Sequence, residues 1–140
     1  MCISAKFTVF NKLFIISSMK TAKIIFWVTT SLIFLLEGVV PALTVNSEMA
    51  IQGFTHLGYP VYFVTLLTVF KVLGALALII PQIPSRVKEW AYAGFTFDFV
   101  SAFISMYVVD GFGGTLLLPV VAIVLLALSY INYHKINPNS

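Results

Sequence analysis

Apolar residues fill four stretches of this chain, at 24–43, 61–80, 90–109 and 116–133, and polar residues gather between them. Each stretch supplies roughly twenty residues, which at 1.5 Å rise matches a hydrocarbon core of about 30 Å. Backbone groups left unpaired in lipid are costly, so each stretch is expected to be a helix. A closed barrel would instead show short alternating segments. The polar run from Asn46 to Pro60, the turn Pro81-Gln82-Ile83-Pro84-Ser85 and the turn Asp110-Gly111-Phe112-Gly113-Gly114 separate the four. Prolines that cannot donate a hydrogen bond, and clustered glycines, interrupt helices there. Connections this short make successive helices antiparallel neighbours.

The expected fold is therefore all-α: a four-transmembrane-helix up-down bundle over 23–134, with an N-terminal extension at 1–22 and a tail at 135–140. The extension reads either as an interfacial helix, since Phe7, Phe10 and Leu13 alternate with polar positions, or as an over-extended start. The run after Lys23 lacks a small-x-small cleavage site directly behind it and reads as a retained helix, not a signal peptide.

Composition strengthens the membrane reading. Of 140 residues, 60% are hydrophobic and 9% charged, with mean hydropathy +1.02, whereas a soluble domain carries about a quarter charged residues. The net charge of +3 is spread over the ends of apolar runs, without the basic, aromatic-interleaved patch of a nucleic-acid binder. Anionic lipid headgroups are the expected partner of these cations. Lys6, Lys12, Lys20 and Lys23 precede the first span, Arg86 and Lys88 lie between the second and third, and Lys135 follows the fourth. With four spans these fall on one side, which places both termini in the cytoplasm.

Candidate chemistry lies where charge interrupts apolar sequence. Glu37, Lys71 and Asp98 each sit inside a span, where an ionisable group needs a partner or a role. Counting rise from opposite ends puts Lys71 and Asp98 within roughly 3 Å of one depth, with Glu37 roughly 6 Å further outward. Three arrangements are open: an architectural ion pair centred on Lys71, a functional network of the three, or no direct contact among them. Fully charged, such a network carries one net negative charge, so an acid holds a proton or shares it with a ligand.

Ala91, Gly94, Asp98, Ser101 and Ser105 follow a three-four rhythm, and Gly74 and Ala75 follow Lys71 by one turn. Gly74, Ala75, Gly94 and Ser101 are therefore expected at close helix contacts. In the outer linker, His56 is a candidate proton-exchanging group or a structural cap, and Tyr59 and Tyr62 are candidate linings or interfacial anchors. No metal or cofactor site is expected. His56 and His134 fall at opposite ends, the single Cys2 has no pair, and no phosphate-binding loop or nucleophile motif occurs. No catalytic residue can be assigned.

The runs His56-Leu57-Gly58-Tyr59-Pro60, Lys71-Val72-Leu73-Gly74-Ala75 and Lys88-Glu89-Trp90-Ala91-Tyr92-Ala93-Gly94-Phe95, with Phe97-Asp98, resemble the DoxX-like family of small bacterial membrane proteins. The resemblance covers about 23 to 133. It implies a bundle of four helices, multi-pass in the bacterial inner (plasma) membrane. The wider family takes its name from a subunit of a quinone-linked oxidase of thiosulfate. The function so implied is a redox-associated subunit or quinone-interacting protein, with a redox partner subunit or a homo-oligomer as further partners. The alternative is a small-solute carrier or a non-catalytic membrane assembly protein. Without a cysteine pair a thiol-reductase mechanism is disfavoured.

Overall fold

The computed structural model describes residues 2–138, which are helical with no strand among them. Helix α1 (Cys2–Ile33) continues through a π-helical turn (Phe34–Val39) into α2 (Val40–Thr44). After it come α3 (Glu48–His56), α4 (Val61–Ile79), α5 (Ser85–Asp110), a 3-10 turn (Gly114–Leu116) and α6 (Leu117–Ile136). Four helical stretches are long and apolar enough to cross a membrane: Lys6–Thr44, Val61–Ile79, Ser85–Asp110 and Gly114–Ile136. Residue 1 of the expected N-terminal extension, and residues 139–140 of the expected tail, lie outside the described residues. From Cys2 onward the extension is part of α1, unbroken, with Phe7, Phe10, Leu13 and Phe14 exposed along it.

The polar linker at 46–60 contains helix α3. Ser47 Oγ accepts the Ala50 N–H at 3.2 Å, and Glu48 occupies the first turn. A capping hydroxyl and an acid beside the positive end of the helix dipole together start α3. Gly58, at φ +86°, ends it in the left-handed region that other residues avoid. Pro60 and Pro84 then stand immediately before α4 and α5, where a missing N–H costs no helical bond.

Helix α1 lies along α6, α6 along α5, and α5 along α4, while α4 also meets the π turn. The interior is aromatic and aliphatic: Phe26 and Ile33 from α1, Leu78 from α4, Phe95 and Phe99 from α5, and Leu126 from α6. Outward faces are equally apolar, as with Val69, Val108, Leu118 and Ile131, which suits a surface whose solvent is lipid.

Glycine decides how closely α4 is approached on two sides. A Cβ on Gly38, in the π turn, would stand 2.9 Å from the Ala75 Cβ, and one on Gly74 would stand 3.0 Å from the Phe95 ring. Ala75 is fully buried at the first contact. Gly94 behaves otherwise: it is exposed, and an added Cβ meets nothing within 4 Å. Ser101 is exposed as well. The small-residue rhythm on α5 thus does not mark one helix interface, because Phe95 and Phe99, one and two turns along, fill the core contact instead.

Gly38→Ala is expected to destabilise the fold by about 1–3 kcal/mol, since the opposing atom belongs to a rigid alanine. Gly94→Ala should be neutral or gain up to about 1 kcal/mol from helix propensity. Thermal unfolding of both variants in one detergent checks the contrast.

Candidate functional site

The π turn is set by its neighbours in sequence. Pro41 follows it, and a proline ring inside an α-helix clashes with the carbonyl four residues back, here that of Glu37. Widening the turn relieves that crowding. The Val40 N–H accordingly bonds to the Leu35 carbonyl, five residues back. Glu37 lies inside this turn and Gly38 directly follows it, so the close contact of Gly38 with Ala75 delivers the Glu37 carboxylate to α4.

Lys71 lies one turn before Ala75, on the same face of α4. Its Nζ donates to Glu37 Oε2 at 2.7 Å and lies 3.0 Å from Asp98 Oδ2. The second contact is an ion pair without hydrogen-bond geometry: Asp98 Oδ2 is enclosed, and no donor is aligned on it. Lys71, Glu37 and Asp98 side chains are 19%, 17% and 15% exposed, so water screens them little. The structure brings all three expected ionisable residues together, on three different segments. Gly74 against Phe95 runs parallel to Lys71 against Asp98, each offset by three residues, so one close approach serves both.

A cavity of about 890 Å³ opens beside this cluster, between α3, α4 and α5. That is the size of a small-molecule pocket. It extends from Met49 and Phe54 on α3, past Lys71 and Asp98, to Val87 and Trp90 near the start of α5. Gly74, Gly94 and Ser101 are part of its wall, and there Gly94 and Ser101 leave room for an occupant. Glu37 is not on the wall; it holds Lys71 from behind.

The candidates in the 46–60 linker and at Tyr62 separate. His56 Nε2 meets Asp110 Oδ1 at 2.7 Å, joining the end of α3 to the end of α5. Tyr59 lines the cavity, shares a 2.6 Å hydrogen bond with Ser105 Oγ and stacks on Phe63. Tyr62 is exposed and takes no part in the wall.

Three features went unread in the sequence. Thr30 and Ser129 share a 2.7 Å hydrogen bond, and Tyr92 OH meets the same Ser129 Oγ at 2.8 Å, so α1, α5 and α6 are tied at one buried point. Hydroxyls inside apolar spans were the available signal. Lys88, read as a cation for lipid headgroups, is only 4% exposed; its Nζ donates to the Leu78 and Ile80 carbonyls at 3.0 and 2.8 Å. It caps the C-terminal end of α4, where free carbonyls attract a cation. Glu89 Oε1 lies 3.0 Å from His134 Nε2 as a charge contact between α5 and α6. Among the described residues no three His, Cys, Asp or Glu side chains are grouped to hold a metal.

The family model described as the DoxX-like family matches residues 25–129, well over half of the chain. No curated protein and no solved structure matches it. Family and helices agree on a multi-pass membrane protein.

Lys71→Met leaves two carboxylates facing each other without their cation and should cost about 3–5 kcal/mol. Combining it with Glu37→Gln and Asp98→Asn removes the uncompensated charge and should restore most of that loss. Unfolding midpoints of the single and triple variants in matched detergent measure the difference.

Proposed function

The chain belongs to the DoxX-like family, and on that premise we propose that it is a redox-associated membrane subunit that receives a quinone-type ligand in the cavity beside Lys71 and Asp98. The observation that carries the reading is the meeting of an apolar, aromatic-walled cavity with one ion-paired cluster at its side. A quinone presents a ring to such walls and carbonyl oxygens to a cationic donor. Lys71 supplies the donor, and both Lys71 and Asp98 lie on the cavity wall, within reach of a ring oxygen. Electrons would come from a partner subunit. In this proposal the helices form an up-down bundle in the bacterial inner membrane, with both termini on the cytoplasmic side. The gathering of Lys6, Lys12, Lys20, Lys23, Arg86 and Lys135 at those ends supports that orientation.

A second reading, a small-solute carrier, is favoured by one fact: the cavity reaches from α3 at one end to the start of α5 at the other. Cysteine substitutions at Ala75 and Ser101 separate the two. Ala75 is sealed and Ser101 lines the cavity, so with Cys2 replaced by Ser a water-soluble thiol reagent should label only Ser101→Cys, and only in a protein with an aqueous path.

Trp90 lies on the wall and Trp27 on α1 does not, so a Trp27→Phe protein reports cavity occupancy by fluorescence alone. Titration with a decyl-substituted benzoquinone should quench Trp90 saturably, and Lys71→Met should weaken binding at least about tenfold, the equivalent of one lost charged hydrogen bond. Absence of saturation in the unmodified site rejects the quinone reading.

A further inference from the structure

The cavity has two unlike halves, one on each side of Lys71 and Asp98. Toward α3 it is walled by Phe54, Tyr59 and Phe63, all partly buried, with Met49 and Gly53 as an exposed rim. The Tyr59 and Phe63 rings stack at 4.9 Å and give this half a flat aromatic face. Toward the start of α5 the walls open: Val87, Trp90, Gly94 and Phe97 line the same space and all four are exposed. Ala77 and Ala91 complete this half with little side-chain bulk. From Lys71 to Phe63 along α4 is about 12 Å, room for one substituted ring, and from Asp98 to Val87 along α5 is about 16 Å, far longer than a ring needs.

Charge selects the head of an occupant. An ammonium has three N–H donors; Lys71 gives one to Glu37 at 2.7 Å and holds Asp98 as an ion pair at 3.0 Å, so at least one is left for a neutral acceptor oxygen. An anionic head would instead meet the two carboxylates already gathered there. Shape selects the tail. A chain leaving the bilayer for the open half exchanges one apolar contact for another, so its seat depends on fit more than on transfer. Gly94 sets that fit: an added Cβ meets nothing within 4 Å, and the space over it belongs to the cavity.

We propose that the cavity seats a head-and-tail lipid in one direction: a neutral ring between Lys71 and Phe63, under α3, and a long alkyl or isoprenoid tail that leaves past Gly94 and Trp90 into the bilayer. This rests on the quinone reading and narrows it to tailed quinones that arrive sideways from lipid. Gly94 is the residue that admits the tail. A larger side chain there fills the open half and leaves the ring half, two turns and more away, as it was.

The test is photolabelling of the purified full chain in nonionic detergent with two decyl-benzoquinones, one carrying a diazirine at the tail end and the other an azide on the ring. Labelled peptides are mapped by mass spectrometry, and only label competed by plain decyl-benzoquinone is counted. The tail probe should favour residues 87–94 over 49–63 by at least about tenfold, equivalent to about 1.4 kcal/mol of orientational preference. The ring probe should favour 49–63. Gly94→Leu should lower the tail label on α5 at least about tenfold and keep both the ring label and the unfolding midpoint; Gly94→Ala should keep all three. Tail label on 49–63, equal label at both ends, or a Gly94→Leu protein that keeps its tail label or loses its ring label overturns the proposal and leaves the quinone reading standing. Absence of competed label from both probes rejects the two together.

Discussion

One ammonium group shared by two carboxylates, in surroundings that screen charge poorly, is the constraint around which the other contacts are arranged. Lys71 reaches Glu37 at 2.7 Å and Asp98 at 3.0 Å only because three segments converge on a single face of α4. Convergence needs missing side chains. Gly38 admits the π turn to Ala75, and Gly74 admits Phe95 of α5. In lipid there is little hydrophobic force pulling helices together, so close packing and charge attraction must supply the association. The two effects coincide here: each glycine contact lies one turn from the ion pair it enables.

The ends of the helices are fixed by different chemistry. At the start of α5, Lys88 closes the carbonyls that finish α4, and its ammonium lies 5.8 Å from the centre of the Tyr133 ring. One turn deeper, the Thr30–Ser129–Tyr92 hydrogen bonds join three helices; each such bond contributes about 0.6 kcal/mol in a membrane. Their value is mainly positional. At the far end of α5, His56 with Asp110 and Tyr59 with Ser105 hold α3 across the end of the cavity. α1 and α6 form the closely packed side, whereas α3, α4 and α5 leave the space between them open.

That division explains why the ion-paired cluster is accessible and still structural. Glu37 anchors Lys71 from the packed side, and Asp98 meets it from the cavity side. A carboxylate with one charge contact retains acceptor capacity, since each carboxylate has about four lone-pair sites. Function is therefore sought at Asp98 and its aromatic surroundings. Glu37 serves chiefly to position the lysine.

That four stretches are apolar and long enough to cross a membrane was legible in the sequence because burying about twenty apolar residues in lipid is a local requirement, met residue by residue, whereas the continuation of the first helix back through the extension was not. The misplaced charges Glu37, Lys71 and Asp98 were legible for the same reason, as was their similar depth from helix rise. Facing was not. Gly94 and Ser101 share a rhythm with Asp98, yet they border open space while Gly74 touches a ring. Nor did local sequence decide that Pro41 would widen the turn carrying Glu37, or that Ser47 would start a helix over the cavity. Lys88 resembled a surface cation until the end of α4 was seen beside it. Hydropathy fixes what must be in the membrane; which side chains meet there depends on helix rotation, and rotation is settled only when all the helices pack at once.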